Sequence, residues 1–142
     1  SLINFHIETE NFKKAKHYLE SALEVNGDSF LLWKQSAFVN QSLKLNKEAL
    51  TAYQKVIDFG FFELTLLINY IDLNIHLKLW KQAFDIIQIA FKGYPESEEL
   101  KLRNMGCKLL LEKGIKEKIN IIDYNLNKKD QVIFFKLFST LK

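Results

Sequence analysis

WKQAFDIIQIAFKGYP, residues 80–95, reads as one complete amphipathic helix with its own stop signal. Ala83, Ile86, Ile87, Ala90 and Phe91 recur at the three-and-four spacing that lines one face of an α-helix. Gly93 and Pro95 are expected to end it, because glycine accepts the left-handed turn at a helix C-terminus and proline cannot continue the helix. The same pattern stands 34 residues earlier in LNKEALTAYQKVIDFGF, residues 45–61, and 34 before that in ENFKKAKHYLESALEVNG, residues 10–27. Ala15, Ala49 and Ala83 fall in register, as do Ala22, Val56 and Ala90. Small residues on one helix face at a fixed repeat of about 34 residues are the sequence sign of stacked helical hairpins.

Outward from these three helices the same reading extends along the chain. Asn11 is a cap for the helix holding Phe12, Ala15, Leu19, Ala22 and Leu23, which Gly27 breaks. Asp28 or Ser29 caps the next, with Leu32, Trp33, Ser36, Ala37, Val39 and Leu43 inward. Asn46 starts the helix of Ala49, Leu50, Tyr53, Val56 and Ile57, which stops at Gly60. A third hairpin opens near Glu63, an acid suited to a helix N-terminus, and turns Leu67, Tyr70, Ile71 and Leu77 inward. Ser97 marks a fourth start, where Leu102, Met105, Gly106 and Leu109 match Trp33, Ser36, Ala37 and Asn40 only with one extra residue in the junction. Gly114 is expected to break that helix and Ile115 to Leu126 to form its partner, with Lys118 where the earlier hairpins place alanine. A lysine is costly to bury, so this hairpin packs more loosely or turns the lysine stem outward. Val132, Phe134, Phe135, Leu137, Phe138 and Leu141 make residues 128–142 a capping helix over the apolar end of the stack, with Lys128, Lys129, Asp130, Lys136 and Lys142 in water. A continuing repeat is the other reading of that segment.

The register makes one domain of a partial first repeat (1–27), two full repeats (28–61 and 62–95), a degenerate fourth (96–126) and the cap (128–142). Leu2 to Ile7 is then only the last part of an opening helix, so the chain is expected to be a piece of a longer protein.

At 142 residues and 48% apolar, the chain suits a single unit whose core needs no disulfide. Unbroken apolar runs are only a few residues long, far short of the ~20 of a membrane helix, so a soluble domain without membrane insertion is expected. The net charge of +3 is uneven: residues 1–100 carry 10 basic and 13 acidic groups, residues 101–142 carry 10 and 4. That balance favours a charged end over a nucleic-acid-binding surface, and no nucleic acid is expected as a partner. Cys107 stands alone, which excludes a disulfide framework and a thiolate metal site. SLINFHIETENF has no basic segment ahead of an apolar core and is not a secretory signal; this favours a cytoplasmic location without fixing the compartment.

With these residues in place the chain resembles the tetratricopeptide repeat family. The resemblance rests on Trp33 opening a helix, Leu2 and Phe5, the turn aromatics Phe12 and Trp80, the alanines at 15, 49 and 83, the second small site at Ala22 and Ala90, and Pro95 at a hairpin boundary. It departs from the family pattern at Gly27 and Phe61, which replace the boundary proline, and at Asn46, Val56 and Lys118. The fold it implies is all-α, a right-handed superhelix of about 3.5 helical hairpins closed by a C-terminal capping helix.

In such a fold, partners bind on the concave face lined by the first helix of each hairpin. Carried over position by position, that face holds Leu31, Lys34, Gln35 and Phe38 from the second repeat. The third supplies Thr65, Ile68, Asn69, Asp72, Ile75 and His76, and the fourth Leu100, Arg103, Asn104 and Cys107. The family's clamp for a C-terminal carboxylate is incomplete: Lys34 and Asn69 fit, but Phe38 stands for an asparagine and Leu100 for a lysine. What remains suits an amphipathic helix or an extended peptide, held by apolar anchors with Lys34, Asn69 and Asp72 fixing register. The expected function is a protein-interaction scaffold; the alternative is an architectural segment that self-associates, as a homo-oligomer or within a larger repeat protein.

Signs of catalysis are missing from the sequence. His6, His17 and His76 lie far apart and none belongs to a metal-ligand pair on one helix face. There is no glycine-rich phosphate loop or nucleophile elbow, and Glu98 and Glu99 suit the start of a helix. The chain is read as non-enzymatic, with no catalytic residue, metal or cofactor.

Overall fold

Helix starts follow from side chains that satisfy the free N–H groups of a first turn. Asn11 Oδ1 accepts from the Lys14 N–H at 3.4 Å, Ser29 Oγ from Leu32 at 3.2 Å, Ser97 Oγ from Leu100 at 3.3 Å and Asn127 Oδ1 from Asp130 at 2.8 Å. The computed structural model of the chain describes residues 1–60, 63–113 and 120–142. All elements there are helical: α1 (Leu2–Glu8), α2 (Phe12–Val25), α3 (Phe30–Ser42), α4 (Asn46–Asp58), α5 (Leu64–His76), α6 (Trp80–Gly93), α7 (Glu98–Lys113) and α8 (Lys128–Leu137). Two 3-10 turns, Ile121–Tyr124 and Ser139–Leu141, complete them, and no strand occurs among the described residues. Contacts group the chain into two compact units, Ser1–Phe61 and Phe62–Lys142.

In the first unit α1 packs on α2, α2 on α3 and α3 on α4. One cluster joins Ala15, Leu19 and Val39, with Ile3, Ile7, Phe12, Leu32 and Leu43 against them. Ala37, Ala49, Ala52, Tyr53 and Val56 are buried as well. In the second unit α5 packs on α6 and α6 on α7, α5 also meets α7, and α8 rests on both α5 and α7. Its core includes Leu67, Ile71, Ala83, Ile87, Ala90, Leu100 and Cys107. Ala15, Ala49 and Ala83 are each 0% exposed, so the three in-register alanines all face packing partners. A methyl side chain lets helix axes approach to the short end of the ~8–10 Å range.

The 34-residue period is also written in the backbone. Glu10, Lys44 and Lys78 take left-handed φ values of 58°, 59° and 61°. At each, the N–H of the following residue reaches back five positions: Asn11 to His6 O at 2.7 Å, Leu45 to Asn40 O at 2.9 Å and Leu79 to Asn74 O at 2.8 Å. The left-handed residue itself donates three positions back, to Ile7, Gln41 and Ile75. This paired bonding satisfies the last carbonyls of α1, α3 and α5 and turns the chain into α2, α4 and α6. Buried Asn40 and Asn74 donate from Nδ2 to the carbonyls of Ser36 and Tyr70, both at 2.9 Å.

Four expectations are corrected. The junction ahead of α7 holds no extra residue: α3, α5 and α7 begin at Phe30, Leu64 and Glu98, and Asn26 (φ −136°, ψ 70°) matches Tyr94 (φ −135°, ψ 62°). The apolar stripe of α7 therefore shifts within the helix, not in the turn before it. Gly93 ends α6 as expected but without the left-handed conformation, and among the described glycines only Gly60, at φ 79°, takes it. Residues 120–126 hold a 3-10 turn instead of the end of an α-helix, while Gly114, Ile115 and Lys118 lie outside the described residues. The last helix ends at Leu137, not Lys142, and Val132 points out, 70% exposed, whereas Phe134, Phe138 and Leu141 are fully buried.

Candidate functional site

The residues singled out on α3 lie in the first unit. Ser29 starts the helix, and Leu31 and Phe38, seven positions apart, share a face at 57% and 52% exposure. Lys34 and Gln35 lie between them, both half-buried. Gln35 Nε2 donates to Asn4 Oδ1 at 2.6 Å, and the Phe38 ring meets Phe12 edge-on with centroids 5.8 Å apart. Asn4 and Phe12 thus extend the α3 face, although nothing in the sequence reading singled them out for it. Two large apolar side chains standing half in water on one helix face, with an amide and an ammonium between them, can grip apolar side chains while hydrogen bonds set register.

On α5 and α7, in the second unit, the candidates separate. Thr65, Asn69 and His76 are exposed, Asp72 is half-buried, and Ile68 and Ile75 are buried among the core residues. Leu100 and Cys107 are fully buried on α7. Asn104 Oδ1 accepts from Gln88 Nε2 on α6 at 2.9 Å. Arg103 is buried and grips Asp72 with Nε to Oδ1 at 2.6 Å and Nη2 to Oδ2 at 3.0 Å, while Nη1 donates to the Glu99 carbonyl at 3.0 Å. Ile68, Ile75, Leu100 and Cys107 offer no surface to a partner, and Arg103 and Asp72 are taken up by each other. The spacing of this pair, 31 residues, equals that of Asn4 and Gln35, so both units link alternate helices at the same offset.

Burial pushes the Cys107 thiol up to about 12, with the Asp72 carboxylate adding to the rise and the Arg103 guanidinium opposing it. The thiol is thus enclosed in the core of the second unit and held in its neutral form. Among the described residues, no three His, Cys, Asp or Glu side chains gather as a metal-binding group. His6 is buried against the Tyr18 ring, stacked at 5.4 Å.

Two clefts border these helices. One of about 450 Å³ is lined by Asp72, Ile75 and His76 of α5, Arg103 of α7, and Ile133, Lys136 and Leu137 of α8. The C-terminal helix therefore covers part of the α5 and α7 face assigned to partners. The other, about 690 Å³ among α2, α3 and α4, includes Lys16, Trp33 and Asn40. Lys16 Nζ is engaged there by Asn40 Oδ1 at 2.7 Å and Glu20 Oε1 at 3.2 Å.

No protein-family model matches the chain, and no curated protein matches it. Among the described residues, no helix is long and apolar enough to cross a membrane.

Proposed function

We propose that the chain is a tetratricopeptide-like repeat, wound as a right-handed superhelix, and that it serves as a non-catalytic scaffold binding a peptide or helix of a partner protein. The turns at Glu10, Lys44 and Lys78 and the buried alanines at 15, 49 and 83, all 34 residues apart, support the repeat. The observation that carries the binding role is the α3 face, where Leu31 and Phe38 stay exposed beside Lys34 and Gln35. Isolated exposed apolar residues are ordinary, but two on one face with polar groups between them match the anchors of a helix-in-groove or peptide complex. A partner recovered by affinity capture on the wild-type chain and lost with Leu31→Ser/Phe38→Ser, but kept with Val132→Ser, supports this role. Equal recovery with all three proteins contradicts it.

Self-association is a second reading with its own observation. Leu2 and Phe5, on one side of α1, are 59% and 56% exposed. Light scattering separates the two: a mass that stays monomeric as concentration rises favours the partner face, and a dimer abolished by Phe5→Ser favours self-association.

A further inference from the structure

α8 carries apolar side chains on two sides. On the inner one Phe134 is fully buried, with Phe138 and Leu141 following it, and the helix rests on α5 and α7. On the outer one Lys128, Gln131, Val132, Phe135 and Lys136 stand at the three-and-four spacing of a single helix face. Val132 is 70% exposed and Phe135 half-buried, where the solvent side of a helix ordinarily carries polar residues. Together with Lys142, these five line a shallow hollow of about 790 Å³.

The charge of this hollow has one sign. Lys128, Lys136 and Lys142 border the two apolar side chains and are exposed, and among the described residues none of the three enters an ion pair. Asp130, the one acid of α8, is not part of the lining. The same excess runs through residues 101–142, with 10 basic and 4 acidic groups, so this end of the chain attracts anions at a distance as well as on contact.

An apolar centre inside a polar rim is the build of a protein interface, and here every charge on the rim is positive. A hollow receives a protruding side chain, whereas a lipid surface is entered by side chains that protrude into it; the shape favours a peptide. We infer that the outer face of α8 is a docking surface for an acidic amphipathic peptide segment, whose apolar side chain seats against Val132 and Phe135 while its carboxylates meet Lys128, Lys136 and Lys142. This goes beyond the α3 reading: it is a second surface, carried by the second unit, and α8 stays in place when it is used.

The probe is a fluorescent synthetic helix of glutamates with leucines at every third and fourth position, titrated with the full chain and followed by anisotropy; the same peptide with serine for leucine is its control. The chain is expected to bind the leucine peptide saturably, about tenfold or more tighter than the serine peptide. Lys128→Glu/Lys136→Glu is expected to weaken binding about tenfold or more, and Val132→Ser about threefold to tenfold. All three positions are exposed, so both variants keep the wild-type circular dichroism. Raising salt from about 0.01 M to about 0.15 M is expected to weaken the complex. No saturable binding, equal affinity for the two peptides, or indifference to the lysine reversals overturns the proposal. So does sedimentation of the chain with phosphatidylserine vesicles, lost in Lys128→Glu/Lys136→Glu, when the peptide does not bind, since the face would then be a membrane contact. Val132→Ser spares the α3 partner and weakens this peptide, so failure of one surface is told apart from failure of the other.

Discussion

Arg103 on α7 and Asp72 on α5 form a two-pronged ion pair, 2.6 and 3.0 Å, in which the arginine side chain is 9% exposed and the aspartate side chain 29%. Both had the positions of peptide contacts, and each instead satisfies the other. A planar guanidinium matched to a carboxylate in this way ties two helices together with directional bonds. The pair is an internal brace of the second unit.

Removing one partner leaves the other enclosed and uncompensated. Asp72→Ala is expected to destabilise the chain by about 3 kcal/mol, at the low end for a broken buried pair because the aspartate keeps some contact with water. Asp72→Ala/Arg103→Met, which removes both charges, should recover most of that loss. Urea unfolding of wild type, both single variants and the double variant measures the coupling; additive losses would mean that the brace contributes nothing of its own.

Gly106 is kept small by Phe138, not by any demand of its backbone. Alanine is the better helix former by about 1 kcal/mol, yet its methyl would collide with a ring that is 0% exposed and has nowhere to go. Gly106→Ala is expected to lower stability by about 1–3 kcal/mol. In a Phe138→Ala background the same change should become neutral or stabilising, which thermal unfolding of the four proteins would reveal.

The left-handed residues Lys44 and Lys78 carry a steric penalty that glycine lacks. Lys78→Gly is expected to stabilise the α5–α6 turn by up to about 1 kcal/mol after the entropy of the unfolded chain is counted. Lys78→Val, β-branched at the same φ, should destabilise it. A melting temperature ordered Gly above Lys above Val checks the assignment of this turn.

How much of this could be read in the residues depends on which interaction decided each feature. The alanines at 15, 49 and 83 announced helix pairing because a small side chain at a fixed interval has few other physical uses. Asn11, Ser29 and Gly60 marked helix ends through local bonding or φ, which a few neighbouring residues determine. The turns at Glu10, Lys44 and Lys78 carried no such mark, since charged residues occupy a conformation usually given to glycine. Their geometry is imposed by the packing of the helices on either side. Gly93 misled only in its conformation: it ends α6 as expected, but without the positive φ that glycine permits. On the candidate face, Leu31 and Phe38 were placed by the family resemblance, and their seven-residue spacing puts both on one exposed side of α3. The burial of Ile68 and Ile75, and the capture of Asp72 by Arg103, depend on residues from other helices that periodicity cannot place.

The central claim is that in-register alanines let paired helices nest, and the thermal unfolding of six single variants tests it most directly. Ala15→Leu, Ala49→Leu and Ala83→Leu should each lose about 1–3 kcal/mol by overpacking. Lys14→Leu, Glu48→Leu and Gln82→Leu, one position earlier and exposed, should stay within about 0.5 kcal/mol of wild type. Losses at the three alanines no larger than those at their exposed neighbours would contradict the account.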